Sequence, residues 1–152
     1  MSKLRSGPEL KSTPTLEVRQ AAWFRYRLRR FLRFSERAAR TCGVTPQQHQ
    51  LLLGVAGYTG RGWATISELA EFLQERHNAV VGLVQRAALG GLVAKLPGVR
   101  DRRFVRVQLT PRGRVLLQRL TGMHLEERRT LEAEARRSSR TCPPTLRAAQ
   151  GA

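Results

Sequence analysis

Two short segments, close together in the chain, most restrict how it can fold. "TISELAEFLQ" places Thr65 three residues before Glu68, the reciprocal capping pattern of a helix start, and Ile66, Leu69, Ala70 and Leu73 then share one helical face. After a very brief connection, "ERHNAVVGLVQRAALGG" puts Val80, Leu83, Val84 and Ala87 on one face and stops at Gly90 and Gly91. Next come two alternating stretches, "LVAKLP" and "FVRVQL", with "PGVRDRR" between them as the turn and loop of a hairpin. Two helices joined by a tight turn and followed at once by a β-hairpin make a winged helix-turn-helix. The same order also occurs in proteins that bind nothing charged, so it does not fix a function.

The flanking sequence extends this unit on both sides. Residues 1–14 carry Ser, Thr, Pro, Gly and Lys with little apolar material and read as a disordered tail. Residues 15–42 read as one long amphipathic helix: from Leu16 to about Arg40 there is no Pro or Gly, and Phe24, Leu28, Phe31, Ser35, Ala38 and Ala39 recur at helical spacing. Arg25, Arg29, Arg33 and Arg37 form a stripe on another face, where like charges four residues apart repel. Gly43 ends this helix, and Thr45, Pro46 and Gln48 start the next with a second capping box. "HQLLLGVAGY" is apolar enough to predict a buried helix, and "TGRG" at 59–62 a turn. Thr110 caps a last helix with Pro111 in its first position, and Val115, Leu116, Leu117, Leu120 and Leu125 carry it to about Arg136. Residues 137–152 lack periodicity and read as a second disordered tail.

The expected fold class is therefore mainly α with a small β-hairpin wing (α+β). A winged helix-turn-helix over 43–113 lies between helices over 15–42 and 114–136.

Charge narrows the partner. Lys and Arg number 28 against 11 acids in 152 residues, a formal net charge of +17, and Lys95 is the one lysine beyond residue 11. So large an excess opposes compaction unless a polyanion or counterions answer it. Nucleic acid is the first candidate and an anionic membrane surface the second; arginine's planar fork of donors suits phosphate in either. Cys42 and Cys142 give neither a disulfide framework nor zinc spacing, which suggests a reducing compartment and a cytoplasmic location. "MSKLRSGPELKSTPT" lacks the apolar core of a signal peptide, and no run of eighteen apolar residues exists to span a membrane.

The outward face of the second short helix offers Arg76, His77, Asn78, Val81, Gly82 and Gln85. Such a helix fits the major groove of duplex DNA, about 12 Å wide, where Arg and Asn can each engage a base edge through two hydrogen bonds. The hairpin brings Arg100, Arg102, Arg103 and Arg106, and short arginine-rich loops can enter the minor groove, where negative potential concentrates. Asp101 would repel phosphate, so an internal role holding the loop is expected for it. Catalysis is not expected: His49, His77 and His124 fall on three different helices, and there is no nucleophile motif or phosphate-cradling glycine loop. No cofactor is expected. A metal would need His124, Glu126, Glu127, Cys42 and His49 to converge across a dimer, which nothing in their spacing demands, and Cys42 reads as a small residue packed at a helix end.

Asp101-Arg102-Arg103, Phe104 to Gln108, and Leu109-Thr110-Pro111-Arg112-Gly113 together resemble the wing of the MarR (multiple antibiotic resistance regulator) family, D-x-R, a short strand, then L-T-x-x-G. "ISELAEFLQERHNAVVGLVQRAALGGLV" resembles the family's two DNA-reading helices and the Gly-Leu-Val that leads into the wing, and the likeness runs from about Val44 to Leu125. It implies a homodimer whose first and last helices interlock, with two winged domains on successive major grooves of a palindromic operator in double-stranded DNA. It further implies that Asp101 braces the wing through a buried salt bridge to Arg86 and that Arg103 reaches the minor groove. Members often bind small aromatic acids between the dimer helices and the winged domain. Trp23, Phe24, Tyr26, Phe31, Phe34, Tyr58 and Trp63 could line such a pocket, although aromatics at helical spacing more often form core.

The chain departs from the family after Leu131, where "EAEARRSSRTCPPTLRAAQGA" is poor in the large apolar residues that usually complete the dimer. The function expected is a sequence-specific, dimeric DNA-binding transcription regulator, a repressor released by a small ligand or other signal, with no membrane partner. The alternatives are a basic amphipathic membrane-surface or scaffolding protein built on the first helix, and a DNA-binding protein without base preference.

Overall fold

Thr15, Thr45, Thr65 and Thr110 each stand where a helix begins, and each hydroxyl accepts a first-turn backbone N–H, from Val18 at 3.4 Å, Gln48 at 3.1 Å, Glu68 at 3.3 Å and Gly113 at 3.0 Å. The computed structural model describes residues 15–98 and 104–138. In chain order it has α1 (Leu16–Thr41), α2 (Pro46–Leu53) with a π-helical extension (Gly54–Tyr58), β1 (Trp63–Thr65), α3 (Ile66–Leu73), α4 (His77–Leu89), β2 (Val93–Pro97), β3 (Val105–Leu109) and α5 (Pro111–Ser138). Both expected capping boxes are present: Gln48 reaches back to the Thr45 N–H at 3.0 Å, and Glu68 to the Thr65 N–H at 2.8 Å. Gly43, at φ +78°, closes α1 in the left-handed region.

The wing is larger than a hairpin. Its sheet has three antiparallel strands in the order β1-β3-β2, with Ala64 opposite Val107 on one side of β3 and Lys95 opposite Val107 on the other. Three residues are too few to show an alternating pattern, so the sequence of β1 suggests only an approach to α3. The helix expected through "HQLLLGVAGY" widens to a π turn at Gly54. A Cβ there would sit 2.7 Å from Phe72 Cδ1, so glycine lets α2 close on α3.

One core joins these layers. Leu51, Leu52, Val55, Ala64, Leu69, Val80, Val84, Val107 and Leu120 are almost completely buried, and each large aliphatic adds about 1.5–3 kcal/mol relative to exposure. Thr110 locks α5 onto this core: its hydroxyl donates to Gly91 O at 2.6 Å and its N–H to Leu92 O at 3.1 Å. At Gly113 an added Cβ would meet Leu92 O at 2.0 Å, so the L-T-x-x-G pattern has a steric cause here.

α1 packs on α5 and α2, but its apolar face is only half used. Ser35, Ala38 and Ala39 are buried, whereas Phe24 is 61%, Leu28 45% and Leu32 46% exposed. On α5, Leu117 and Leu120 are buried while Val115 and Leu125 are exposed. α5 runs two residues past Arg136, into the segment expected to be a tail, and Glu134 ties it back to α1 through Arg30 at 2.8 Å. Among the described residues no helix is long and apolar enough to cross a membrane.

Candidate nucleic-acid interface

The turn that presents α4 is made by Gln74, the one described non-glycine residue at positive φ (53°, with ψ 42°). This left-handed conformation costs about 1–2 kcal/mol in a residue with a Cβ. Its N–H bonds Glu71 O at 3.1 Å, and the next N–H, from Glu75, bonds Ala70 O at 3.0 Å, so α3 ends within two residues. Arg76 follows in an extended conformation as the N-cap of α4, not as its first turn, and its side chain makes no capping bond. The first amides of α4 are thus left without a side-chain acceptor at the positive end of the helix dipole, and no acid stands in that turn.

Val80, Leu83, Val84 and Ala87 hold α4 by its buried face. Arg76, His77, Asn78, Val81 and Gln85 are exposed, and Gly82 is half-buried among them. These six sequence-predicted positions therefore lie together on one accessible side. A seventh residue joins them that sequence reasoning does not assign: Lys95 of β2 donates from Nζ to Gln85 Oε1 at 3.3 Å. It is visible in the sequence as the lone lysine of the folded region, but only the packing of β2 beside α4 gives it a place.

The other arginines separate. Arg86 is exposed, and its guanidinium lies across Gly82, where an added Cβ would be 3.3 Å from Nη1. Arg100, Asp101, Arg102 and Arg103 lie outside the described residues. Arg106, in the strand expected through "FVRVQL", is part of the sheet. It stacks over Trp63 at 5.2 Å, beside Arg61 at 4.0 Å, and Arg61 also pairs with Glu68 at 2.6 Å.

Two of the three histidines, which the sequence leaves unconnected, meet in the interior. The rings of His49 on α2 and His124 on α5 are 4.8 Å apart, and Phe31 and Phe34 of α1 stand edge-on to His124 at 5.7 and 5.3 Å. His124 Nδ1 bonds Leu120 O at 2.6 Å, while His49 Nδ1 and His124 Nε2 are buried without a partner. Burial, and then the charge of His124, lower the His49 pKa to about 4. Glu126, Glu127 and Cys42 do not complete a metal site: no group of three or more His, Cys, Asp or Glu that could hold a metal occurs among the described residues. Cys42 is a half-buried free thiol at the end of α1.

The aromatic residues make several separate ring contacts. Trp23 packs on Tyr26, Tyr58 on Phe72, and Phe31 and Phe34 on His124. An open apolar groove of about 390 Å³ runs between Leu109, Ala56 and the Leu117–Leu125 side of α5, with none of the seven in its lining.

No protein-family model matches the sequence, and no curated protein does. The fold does have many solved counterparts. A point mutant of S. aureus MepR, bound to an oligodeoxyribonucleotide, superposes with a TM-score of 0.62 at 19% identity, covering 80% of this chain and 89% of that one. AbsC, a MarR family transcriptional regulator from Streptomyces coelicolor, gives 0.63 at 18% identity, covering 87% and 95%. Bordetella bronchiseptica BpsR, whose DNA binding is regulated by 6-hydroxynicotinic acid, gives 0.59 at 18% identity, covering 79% and 84%. The chain has the winged-helix fold of MarR regulators over most of its length.

Proposed function

We propose that this chain is a MarR-type transcription regulator: a homodimer that binds a palindromic operator in double-stranded DNA, acts as a repressor, and is not an enzyme. The observation that carries the reading is the exposed row Arg76, His77, Asn78, Val81 and Gln85 on α4, with Lys95 beside it. Its residue types match what the major groove offers: Asn can pair with adenine, Arg with guanine, and Val81 can meet a thymine methyl. The uncapped positive start of α4 adds affinity for phosphate. In this reading Arg100, Arg102 and Arg103 serve the minor groove and Asp101 pairs with Arg86.

The dimer is supported by the exposed apolar run Phe24, Leu28 and Leu32 on α1, with Val115 and Leu125 on α5. A signal that changes the packing of these helices, such as a small aromatic ligand, would release the operator. The proposed location is the cytoplasm.

The test is selection of bound duplexes from a random pool by the full chain. A palindrome with half-sites about one helical turn apart is expected. Asn78→Ala should lose preference at one base pair of each half-site, by about 1–3 kcal/mol, while Lys95→Ala should weaken all sequences alike. Equal recovery of every sequence would refute the regulator reading and leave a DNA-binding protein without base preference.

A further inference from the structure

The arginine stripe of α1 has no role in that reading. Arg25, Arg29, Arg33 and Arg37 are all exposed, and none forms an ion pair among the described residues. Successive members are about 6 Å apart along the helix axis, so the stripe spans about 18 Å. At 100° per residue Arg29, Arg33 and Arg37 lie between about a third and half a turn from the mean direction of Ser35, Ala38 and Ala39, which face the core, and Arg25 about a quarter turn. The stripe therefore points away from the body of the chain, α4 included. The exposed apolar run Phe24, Leu28 and Leu32 lies beside it, so a second copy packing on that run leaves the stripe at the edge of the contact.

What could answer this charge? Among the described residues no acid pairs with it. Glu68, Glu132 and Glu134 already pair with Arg61, Arg128 and Arg30, and Glu36, the acid nearest the stripe, lines a groove with Leu32 and Glu75. A second copy brings another +17, which doubles the excess. A membrane-surface helix would insert its open apolar run, Phe24, Leu28 and Leu32, and in the proposed dimer that run is covered by the second copy. What remains is a regular polyanion met by planar, forked donors.

We infer that the α1 stripe is a second phosphate-binding surface that holds a separate duplex segment by its backbone, without reading bases. This goes beyond the operator contact of α4. It makes the dimer a bridge between two stretches of DNA.

The test is capture of a labelled random-sequence duplex by full-length protein already bound to an immobilised duplex, over a series of salt concentrations. Wild type should capture the second duplex. A variant with Arg25→Gln, Arg29→Gln, Arg33→Gln and Arg37→Gln keeps good helix formers and should capture at least about tenfold less, its salt slope falling by roughly 0.9 for each phosphate contact removed. Its affinity and base preference for the immobilised duplex should not change, and the matching four-Lys variant should keep most of the capture. Undiminished capture by the Gln variant would overturn the inference. So would a Gln variant that sediments as a monomer, which assigns the stripe to the second copy. So would a wild type that captures no second duplex but binds anionic phosphatidylserine vesicles through the stripe. Absence of any base preference in wild type refutes the regulator reading alone, because second-duplex capture does not depend on sequence.

Discussion

Lowering the pH from 7 to 4 should cost the folded chain about 3 kcal/mol through one side chain, His49. The ring is 1% exposed, its Nδ1 has no partner, and the His124 ring is 4.8 Å away. A proton there would be a buried charge with a second imidazole for a neighbour, and the pKa falls from 6.5 to about 4 as a result. Between those two values the unfolded chain binds a proton that the folded chain refuses. His49 thus leaves stability intact above pH about 6.5, drains it as the pH falls toward 4, and costs no more below that. A gap of about 2.5 pH units at 1.36 kcal/mol each gives about 3 kcal/mol. Glu68 acts in a lower window. Its carboxylate, held below its ordinary 4.5 by the Thr65 N–H and by Arg61, contributes stability that is lost only as the pH falls below that value. The assay is urea unfolding at fixed protomer concentration, from pH 7 to 4, of wild type and His49→Leu. Leucine removes the titration at similar volume, so the variant should lose about 3 kcal/mol less than wild type over this range. Parallel loss in both proteins, or an NMR titration of the His49 ring centred near 6.5, would refute the reasoning.

Gly113→Ala should cost roughly 3 kcal/mol of unfolding free energy, because the new methyl must displace the Leu92 carbonyl that also holds the Thr110 N–H; a thermal melt within a degree of wild type would contradict this. Leu28→Glu places a charge in the exposed apolar run of α1 and should weaken self-association by at least about tenfold while leaving the far-ultraviolet spectrum unchanged. Sedimentation identical to wild type would remove α1 from the dimer contact.

Helix starts are legible in the sequence because a cap is a local event. Thr45, Thr65 and Thr110 sit within three residues of the N–H they satisfy, so spacing alone exposes them. The buried face of α4 is legible for the same reason. What the sequence hides is set by contacts between distant segments. β1 exists because β3 lies beside it, and Lys95 reaches Gln85 because β2 packs against α4. Arg106 falls in the strand that the alternation of "FVRVQL" predicts, but its place over Trp63 depends on β1 lying beside β3. His49 and His124 are 75 positions apart, and no periodicity connects them. The one local hint is that His49 opens the apolar run "HQLLLGV", which makes its burial readable but not its neighbour. On α1, periodicity finds the apolar face correctly but does not say which part is covered by this chain and which part is left open.

That histidine pair occupies a particular place in the architecture. α2 packs against α1 and α5 and also against α4, so it stands between the helices proposed to form the dimer and the helix proposed to meet DNA. At the end of α2, Leu51 and Leu52 are fully buried, and interiors packed to that degree pass on displacement instead of absorbing it. His49 is the exception, a polar ring with an unsatisfied nitrogen set where Phe31 and Phe34 of α1 close around His124. These rings sit where α1, α2 and α5 meet, and α2 also contacts α4. Proposed release of the operator therefore requires no direct contact between a ligand and α4. It requires only that the ligand favour an α1–α5 packing other than this one, by a free energy no larger than its difference in affinity for the two arrangements.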